Sequence, residues 1–429
     1  VDDLDADLYN CPVRTRYAWQ LVRYRSVVKR FLQASDAPAN EAALQALLAA
    51  AQTQTAYYPG AFAKAGVQAG DLRGLADLAH FPLLSRRTVQ ARYHDLFSEQ
   101  ITRSDIDEGW LGVTSGSTGE PVRFFMDGES IQLFIAFIRH LWTLHACGPL
   151  PKPWQTAIVL LCTLPRSSVY ETRLPLMRGA GFRKLHWAER DAASTLQRLN
   201  PGVMTGDPAS LARLREALEA KVLAVRPKLI LSSAFALPVA LAEALHALTG
   251  ATVVDYYSLA ETGPVGFRCK RGRFHVLHAG SVVEAVQGEI VITNLRNRLF
   301  PLVRYQTGDL GTVTDAACEC GLPGRTITAL HGRLTERFVD RKGTRVDPSQ
   351  LQPLLSKLPV AQFRLEQAKR GEVSLVVHGA QAALPPAVLA QTTLALSRLL
   401  DEPTQLLVQH HAQALVLPGQ KPIVYRCTL

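Results

Sequence analysis

The sequence predicts an α/β fold: a large N-terminal domain with mainly parallel sheets and flanking helices, then a small C-terminal α+β domain. Three observations lead there. At 429 residues the chain exceeds the roughly 250–300 residues at which a single hydrophobic core stops growing. Between about Thr156 and Leu330 short apolar runs alternate with amphipathic stretches, the pattern of strands and helices taken in turn around a parallel sheet. After Gly332-Arg333 that alternation gives way to a hairpin pattern, two strand patterns and one helix.

Taken in order, residues 15–52 carry Trp19, Leu21, Val22, Val27, Val28, Phe31 and Leu32 at helical spacing, followed by the alanine-rich stretch around Leu44 to Ala51. A helical N-terminal subregion of about residues 1–100 is expected. Ala157 to Leu161, Val203 to Thr205, Lys228 to Leu231 and Thr252 to Val254 read as buried strands. Asp207 to Ala220 and Pro238 to Leu248 read as helices, the first entered through an Asp207-Pro208 cap. Phe338 to Val346 reads as a tight hairpin with Gly343 in its turn. Gln362 to Glu366 and Val373 to Val377 read as strands, with a helix over Pro386 to Leu400. Domains are therefore expected at 1–333 and 334–429, with a short hinge at 334–336.

Hydrophobic residues at 47% and charged residues at 20% describe an ordinary soluble globular chain. No apolar run approaches the roughly 20 residues that cross a bilayer, and the start Val-Asp-Asp-Leu-Asp lacks the basic-then-apolar order of a secretory leader. A cytoplasmic protein without a membrane partner is expected. The net charge of +10 comes from scattered Lys and Arg, which argues against nucleic acid and for a polyanionic small molecule.

Residues 114–121 read Thr-Ser-Gly-Ser-Thr-Gly-Glu-Pro. Glycines let successive N–H groups converge on an anion and the hydroxyls add donors, so the run suits phosphate oxygens. It is not a Walker A loop, because Gly119 is followed by Glu120 rather than lysine. On local composition alone a flexible surface loop reads equally well.

Among seven cysteines, Cys318-x-Cys320 and Cys269, with His275 six residues after it, form a set of ligand type. Three thiolates and one imidazole suit tetrahedral Zn²⁺. Buried free thiols are the alternative, and His278 is a competing ligand on the same stretch.

Further segments follow the hydroxyl-rich loop: Asp255-Tyr256-Tyr257-Ser258-Leu259-Ala260-Glu261, Gly288 to Leu295, Pro301 to Asp309, Gly332-Arg333 and Gly419-Gln420-Lys421. In order, spacing and character the chain resembles the acyl-adenylate-forming (AMP-binding) enzymes, within them the phenylacetate-CoA ligase-like branch. The resemblance implies that Thr114, Ser115, Gly116, Ser117, Thr118 and Gly119 hold the β and γ phosphates of ATP and that Glu261 supports Mg²⁺. It implies Tyr257 against adenine, Asp309 on the ribose hydroxyls and Arg333 on ribose or phosphate, with Ala234 and Tyr256 in the same nucleotide set. Lys421 would bridge the substrate carboxylate and the α-phosphate. Phe134, Phe137, Ile138 and Phe235 would wall the acid pocket, or else belong to the core. Comparable Cys/His clusters in that branch support structural zinc.

The chain departs from the pattern at Ser258, where glycine is usual, at Ala260, where a hydroxyl is usual, and at Phe235, where a glutamate is common. The expected function is an ATP-dependent carboxylic acid ligase that forms an acyl-adenylate and transfers the acyl group to coenzyme A or a carrier-protein phosphopantetheine. An aryl or arylacetic acid is the expected substrate. Two other readings stay open: transfer to an amine or hydroxyl in natural-product or polysaccharide tailoring, and a degenerate nucleotide-binding interaction protein. Monomer and dimer both stay open.

Overall fold

The structure, a computed structural model, describes residues 37–114, 121–152, 154–163, 170–174, 180–333, 337–346, 348–355, 358, 360, 362–378, 384–411 and 425–429. The helical pattern over 15–52 is realised from residue 37 as the helix Ala37–Gln54; residues 15–36 lie outside the described part. Leu44, Leu47, Leu48 and Ala51 recur at helical spacing and are fully buried, so one stripe of this helix docks on the core.

Strands β1 (Trp110–Val113) and β2 (Arg123–Met126) pair as an antiparallel hairpin around the hydroxyl-rich loop. The helix Gly128–Leu144 follows, capped by Asp127, whose carboxylate accepts the Ser130 amide at 2.8 Å. Then come β3 (Thr156–Cys162), β4 (Tyr170–Leu174), β5 (Ala180–His186), β6 (Val203–Gly206), β7 (Leu229–Ser232) and β8 (Thr252–Leu259). After them run β9 (Gly263–Arg268), β10 (Phe274–Val276), β11 (Ser281–Val286), β12 (Glu289–Asn294), β13 (Tyr305–Thr314) and β14 (Thr326–Arg333).

These twelve strands form one sheet in the order β11-β12-β13-β14-β10-β9-β8-β7-β6-β3-β5-β4. The four expected strands are β3, β6, β7 and β8, and they run parallel; β5, which the sequence reading did not mark, pairs parallel with β3 at the edge of this group. Their side chains alternate between two cores: Ile158, Val203 and Leu231 face the Gly128–Leu144 helix, while Val159, Met204 and Ile230 face the helices Pro208–Glu219 and Val239–Thr249. Burial on both faces explains why these strands read as continuous apolar runs. Asp207 caps its helix as expected, accepting the Ser210 amide at 2.7 Å.

From β8 onward the sheet is antiparallel. The change falls inside one strand, since Thr252 to Asp255 pair with β7 and Tyr256 to Leu259 pair with β9. The segment Asp255 to Glu261 thus lies where the parallel ladder hands over to the antiparallel one. Gly266 is required in β9 because a Cβ there would meet the His275 carbonyl oxygen at 2.7 Å.

Beyond residue 337, β15 (Phe338–Val339) and β16 (Arg345–Val346) form the expected hairpin, with Gly343 at φ +83°. Strands β17 (Gln362–Lys369), β18 (Glu372–His378), β19 (Gln405–His411) and β20 (Tyr425–Cys427) make a separate sheet in the order β19-β18-β17-β20, accompanied by the helix Pro386–Leu399. Their core, including Phe338, Leu375, Leu396 and Tyr425, draws only on residues from 338 onward.

Candidate active site

The stems of the hydroxyl-rich loop are fastened at Thr114. Its amide donates to the Val122 carbonyl at 2.9 Å and its Oγ1 accepts the Val122 amide at 2.9 Å. The proposed phosphate-binding residues Ser115, Gly116, Ser117, Thr118 and Gly119 lie outside the described residues. Arg86, at the start of the helix Arg86–Ala91, donates to Thr114 Oγ1 at 2.9 Å. Its guanidinium also lies 3.7 Å from Glu261 Oε1. Glu261 is buried and accepts a hydrogen bond from the Tyr305 hydroxyl at 3.0 Å.

Tyr257 and Asp309 meet directly, the phenol donating to Asp309 Oδ2 at 2.7 Å. Three strands separate β8 from β13 in the sheet order, so the antiparallel half curls to bring them together. Arg333 is the register partner of Asp309 across β13 and β14; its side chain lies outside the described residues, as does Lys421.

On the opposite face of β8, the Tyr256 ring packs on Phe137 at 5.2 Å and Phe134 at 6.4 Å. Phe137 and Ile138 are fully buried, whereas Phe134 and Phe235 are half-buried. The Tyr256 hydroxyl sits among Thr205, Ser233 and Ser258, and Ser233 and Ser258 share a hydrogen bond of 2.7 Å. The departure at Ser258 therefore has a hydroxyl partner, while Ala260 faces solvent. Ala234 is exposed at φ +75°, a left-handed conformation that costs a non-glycine residue energy.

The cysteine–histidine set converges as well. Cys269 follows β9, His275 lies in β10, and Cys318 and Cys320 lie between β13 and β14. Their ligand atoms all fall within 4.8 Å of one another. The Cys269–Cys318 sulfur separation is 3.8 Å, matching the edge of about 3.8 Å for a tetrahedron with metal–sulfur bonds of about 2.3 Å. The Pro323 carbonyl lies 3.4 Å from His275 Nδ1, which leaves Nε2, 3.2 Å from Cys320 Sγ, directed into the set. The competitor His278 is engaged elsewhere, its Nε2 accepting the Arg325 amide at 3.0 Å.

Residues 104–301 match the model of the family described as AMP-binding enzyme. The chain is similar to that family over those residues. A phenylacetate-coenzyme A ligase of Thermus thermophilus is 25% identical over 354 residues, covering 74% of this chain and 75% of that protein. Another from Aromatoleum evansii is 23% identical over 364 residues, covering 74% and 75%. Among solved structures, 2-hydroxyisobutyryl-CoA ligase in the postadenylation state superimposes with a TM-score of 0.64 at 16% identity, covering 97% of this chain and 93% of that one. Its open conformation gives 0.59, again at 16% identity, covering 91% of each chain. These likenesses carry the fold.

Within the AMP-binding enzyme family match fall Thr114, the Gly128–Leu144 helix, Tyr257 and Glu261, while Arg86, Tyr305 and Asp309 lie outside it. Two residues were missed by sequence reasoning. Tyr305 stands in the quoted segment Pro301 to Asp309, where only the aspartate drew attention. Arg86 stands in Ser85-Arg86-Arg87, one of many basic pairs in a chain of charge +10, and nothing local marks it.

Proposed function

We propose that this chain is an ATP-dependent carboxylic acid–CoA ligase that works through an acyl-adenylate. The observation that carries the reading is the Arg86 bridge from Thr114 to the Glu261–Tyr305 pair, together with the Tyr257–Asp309 bond between β8 and β13, in a chain similar to AMP-binding enzymes and to relatives named as phenylacetate-coenzyme A ligases. An aryl or arylacetic acid is the substrate class. Its apolar end would lie against Phe134 and Phe235, with Phe137 and Ile138 forming the buried wall behind.

Adenylation must bring a carboxylate to an α-phosphate, two anions that repel. The loop 114–119 holds the β and γ phosphates through convergent donors. Tyr257 positions the Asp309 carboxylate, an acceptor suited to the paired ribose hydroxyls, and Arg333 stands on the neighbouring strand. Glu261 is buried and accepts the Tyr305 hydroxyl, and its carboxylate would hold Mg²⁺. When bound, that ion offsets the phosphate charge. Lys421 stabilises the charge shared between carboxylate and α-phosphate. Residues 334–429 form the lid domain, turning at 334–336 so that the lysine gives way to the incoming thiol. Coenzyme A is the acceptor, with a carrier-protein phosphopantetheine as the variant of the same chemistry, in a cytoplasmic setting.

Cys269, His275, Cys318 and Cys320 hold a structural zinc ion, for which four protein ligands leave no position for water.

The test is pyrophosphate exchange over a panel of carboxylic acids, followed by thioester formation with coenzyme A. Exchange with an aryl acid and its loss in Lys421→Ala, by roughly 2–4 kcal/mol of transition-state stabilisation, is the expected result. Absence of exchange with every acid would sink the reading in favour of a nucleotide-binding relic.

A further inference from the structure

We infer that this site selects an acid whose ring carries a hydrogen-bond donor, a hydroxyl or amino group, through a hydroxyl set formed by Tyr256, Ser258, Ser233 and Thr205. The inference rests on the ligase reading above and narrows its substrate class from aryl acids at large to donor-substituted ones. It also moves Tyr256 from the nucleotide set to the acid.

Neighbouring residues of β8 point to opposite faces of the sheet. Tyr257 joins the core that includes Leu259 and Tyr305 and bonds Asp309, whereas Tyr256 joins the core of the Gly128–Leu144 helix. There its ring lies 5.2 Å from Phe137 and 6.4 Å from Phe134, the aromatic walls assigned to the acid. Ring packing fixes the phenol on that side, and its hydroxyl sits among Thr205, Ser233 and Ser258. Thr205 lies near the carboxyl end of β6, and Ser233 directly follows β7. The two strands are parallel, and ligands of open α/β sheets bind outside the carboxyl ends of such strands. Tyr256 and Thr205 are buried, while Ser233, Ser258, Phe134 and Phe235 are half-buried. Part of the hydroxyl set and part of the aromatic wall are therefore open to a ligand.

A few placed polar groups in an otherwise apolar pocket decide which ligand is accepted. Ser258 stands where glycine is usual, so the Ser233–Ser258 bond of 2.7 Å exists only because this chain departs from the pattern. The chemistry of the set names the polarity of the substituent. Each hydroxyl brings one proton and two lone pairs, and each bond made within the set consumes one of each, so lone pairs remain in excess. Burial holds the Tyr256 phenol above its usual pKa, which keeps it protonated and neutral at working pH. A substituent that brings its own proton, O–H or N–H, finds acceptors there, whereas a plain hydrocarbon ring leaves them unused.

The test is pyrophosphate exchange by the full chain with phenylacetate and benzoate, each compared with its ring-hydroxyl and ring-amino isomers, in wild type, Tyr256→Phe, Ser258→Gly and Ser258→Thr. We expect at least one donor-substituted acid to exceed its parent in kcat/KM by about fivefold or more, the scale of one neutral hydrogen bond. The responding isomers separate hydroxyl from amino as the source of the donor. That preference should fall to within about twofold in Tyr256→Phe, which keeps the ring against Phe134 and Phe137, and in Ser258→Gly. Ser258→Thr keeps a hydroxyl and should retain the preference. KM for ATP should change by less than about twofold throughout. Each preference is a ratio within one preparation, so a loss of active protein cancels. Parent acids turned over as well as every substituted one would overturn the inference. So would a preference intact in both Tyr256→Phe and Ser258→Gly, or a rise in KM for ATP in Tyr256→Phe that is the same with every acid, which would return Tyr256 to the nucleotide. Should one of those two variants not fold, the other decides on the same terms. A wild type that exchanges with no acid removes the ligase reading itself, whereas exchange without preference for a donor removes only the inference.

Discussion

The Tyr257 hydroxyl donates to the Asp309 carboxylate at 2.7 Å across 52 positions of sequence. Both groups are buried, at 9% and 8% exposure, so this bond fixes the carboxylate rotamer before any ligand meets it. Asp309 is held further through its amide, which donates to Thr307 Oγ1 at 3.0 Å. Tyr257→Phe keeps the ring and deletes the donor. It should lower kcat/KM for ATP by about 3- to 30-fold, one buried charge-assisted hydrogen bond's worth, with KM for the acid unchanged. Steady-state kinetics at varied ATP and varied acid check this, and an effect on the acid alone would refute it.

Arg304 ties the N-terminal region to the site. Its guanidinium grips Glu284 at 3.1 and 3.0 Å and donates to the Ala79 and Phe81 carbonyls at 2.8 and 2.6 Å. The residue is 6% exposed and sits at φ +50°, so the backbone strain is held by these four bonds. Arg304→Met strands Glu284 and the buried Phe81 carbonyl and should cost about 3–5 kcal/mol in urea unfolding. Adding Glu284→Leu should recover part of that loss, because no buried charge is then left without its partner. A double variant no more stable than Arg304→Met would show that the pair's charge is not the term that matters.

Much of this architecture is legible in the sequence, and the reason differs by element. The parallel strands were readable because burial on both faces turns Ile158 to Leu161 and Leu229 to Leu231 into apolar runs bounded by caps such as Asp207. The antiparallel half was not, because its order, with β10 between β9 and β14, depends on long-range pairing. At the site, Tyr257, Glu261 and Asp309 stood out as separate residues. Their mutual contacts, and those of Arg86 and Tyr305, depend on the curl of the sheet and on the bridge between Leu84 and Tyr305, which no local pattern encodes.

The zinc assignment predicts composition as well as stability. Protein purified without chelator should contain about one zinc per chain. Cys320→Ser should lower the melting temperature and the zinc content together, because a thiolate set assembled from β9, β10 and the β13–β14 connection ties those segments only when metal binds. Relative preference among acids should stay as in wild type. Metal-free protein with an unchanged melting temperature on chelation would leave the four residues as packed thiols and a histidine.

Asp255, at the point where β8 changes partner, predicts a pH dependence. Burial pushes its carboxyl up to about 7, opposed by the Arg268 guanidinium at 3.8 Å and the Leu237 amide. A carboxyl whose folded pKa lies above its unfolded value of 3.8 binds its proton more tightly when folded. Stability therefore falls as pH rises from about 4 and levels off once pH passes about 7. Asp127, pushed up to about 6 chiefly by burial, contributes in the same direction over a shorter window. Asp255→Asn removes one of the two, so its urea midpoint should stop falling near pH 6 while wild type continues to fall to near pH 7. At pH 8 the variant should be the more stable by at most about 4 kcal/mol, the ceiling set by a shift of roughly three pKa units. Unfolding curves at pH 5, 6, 7 and 8 decide the matter: parallel profiles for the two proteins would mean that Asp255 titrates at an ordinary carboxylate pKa and that Arg268 fully offsets its burial.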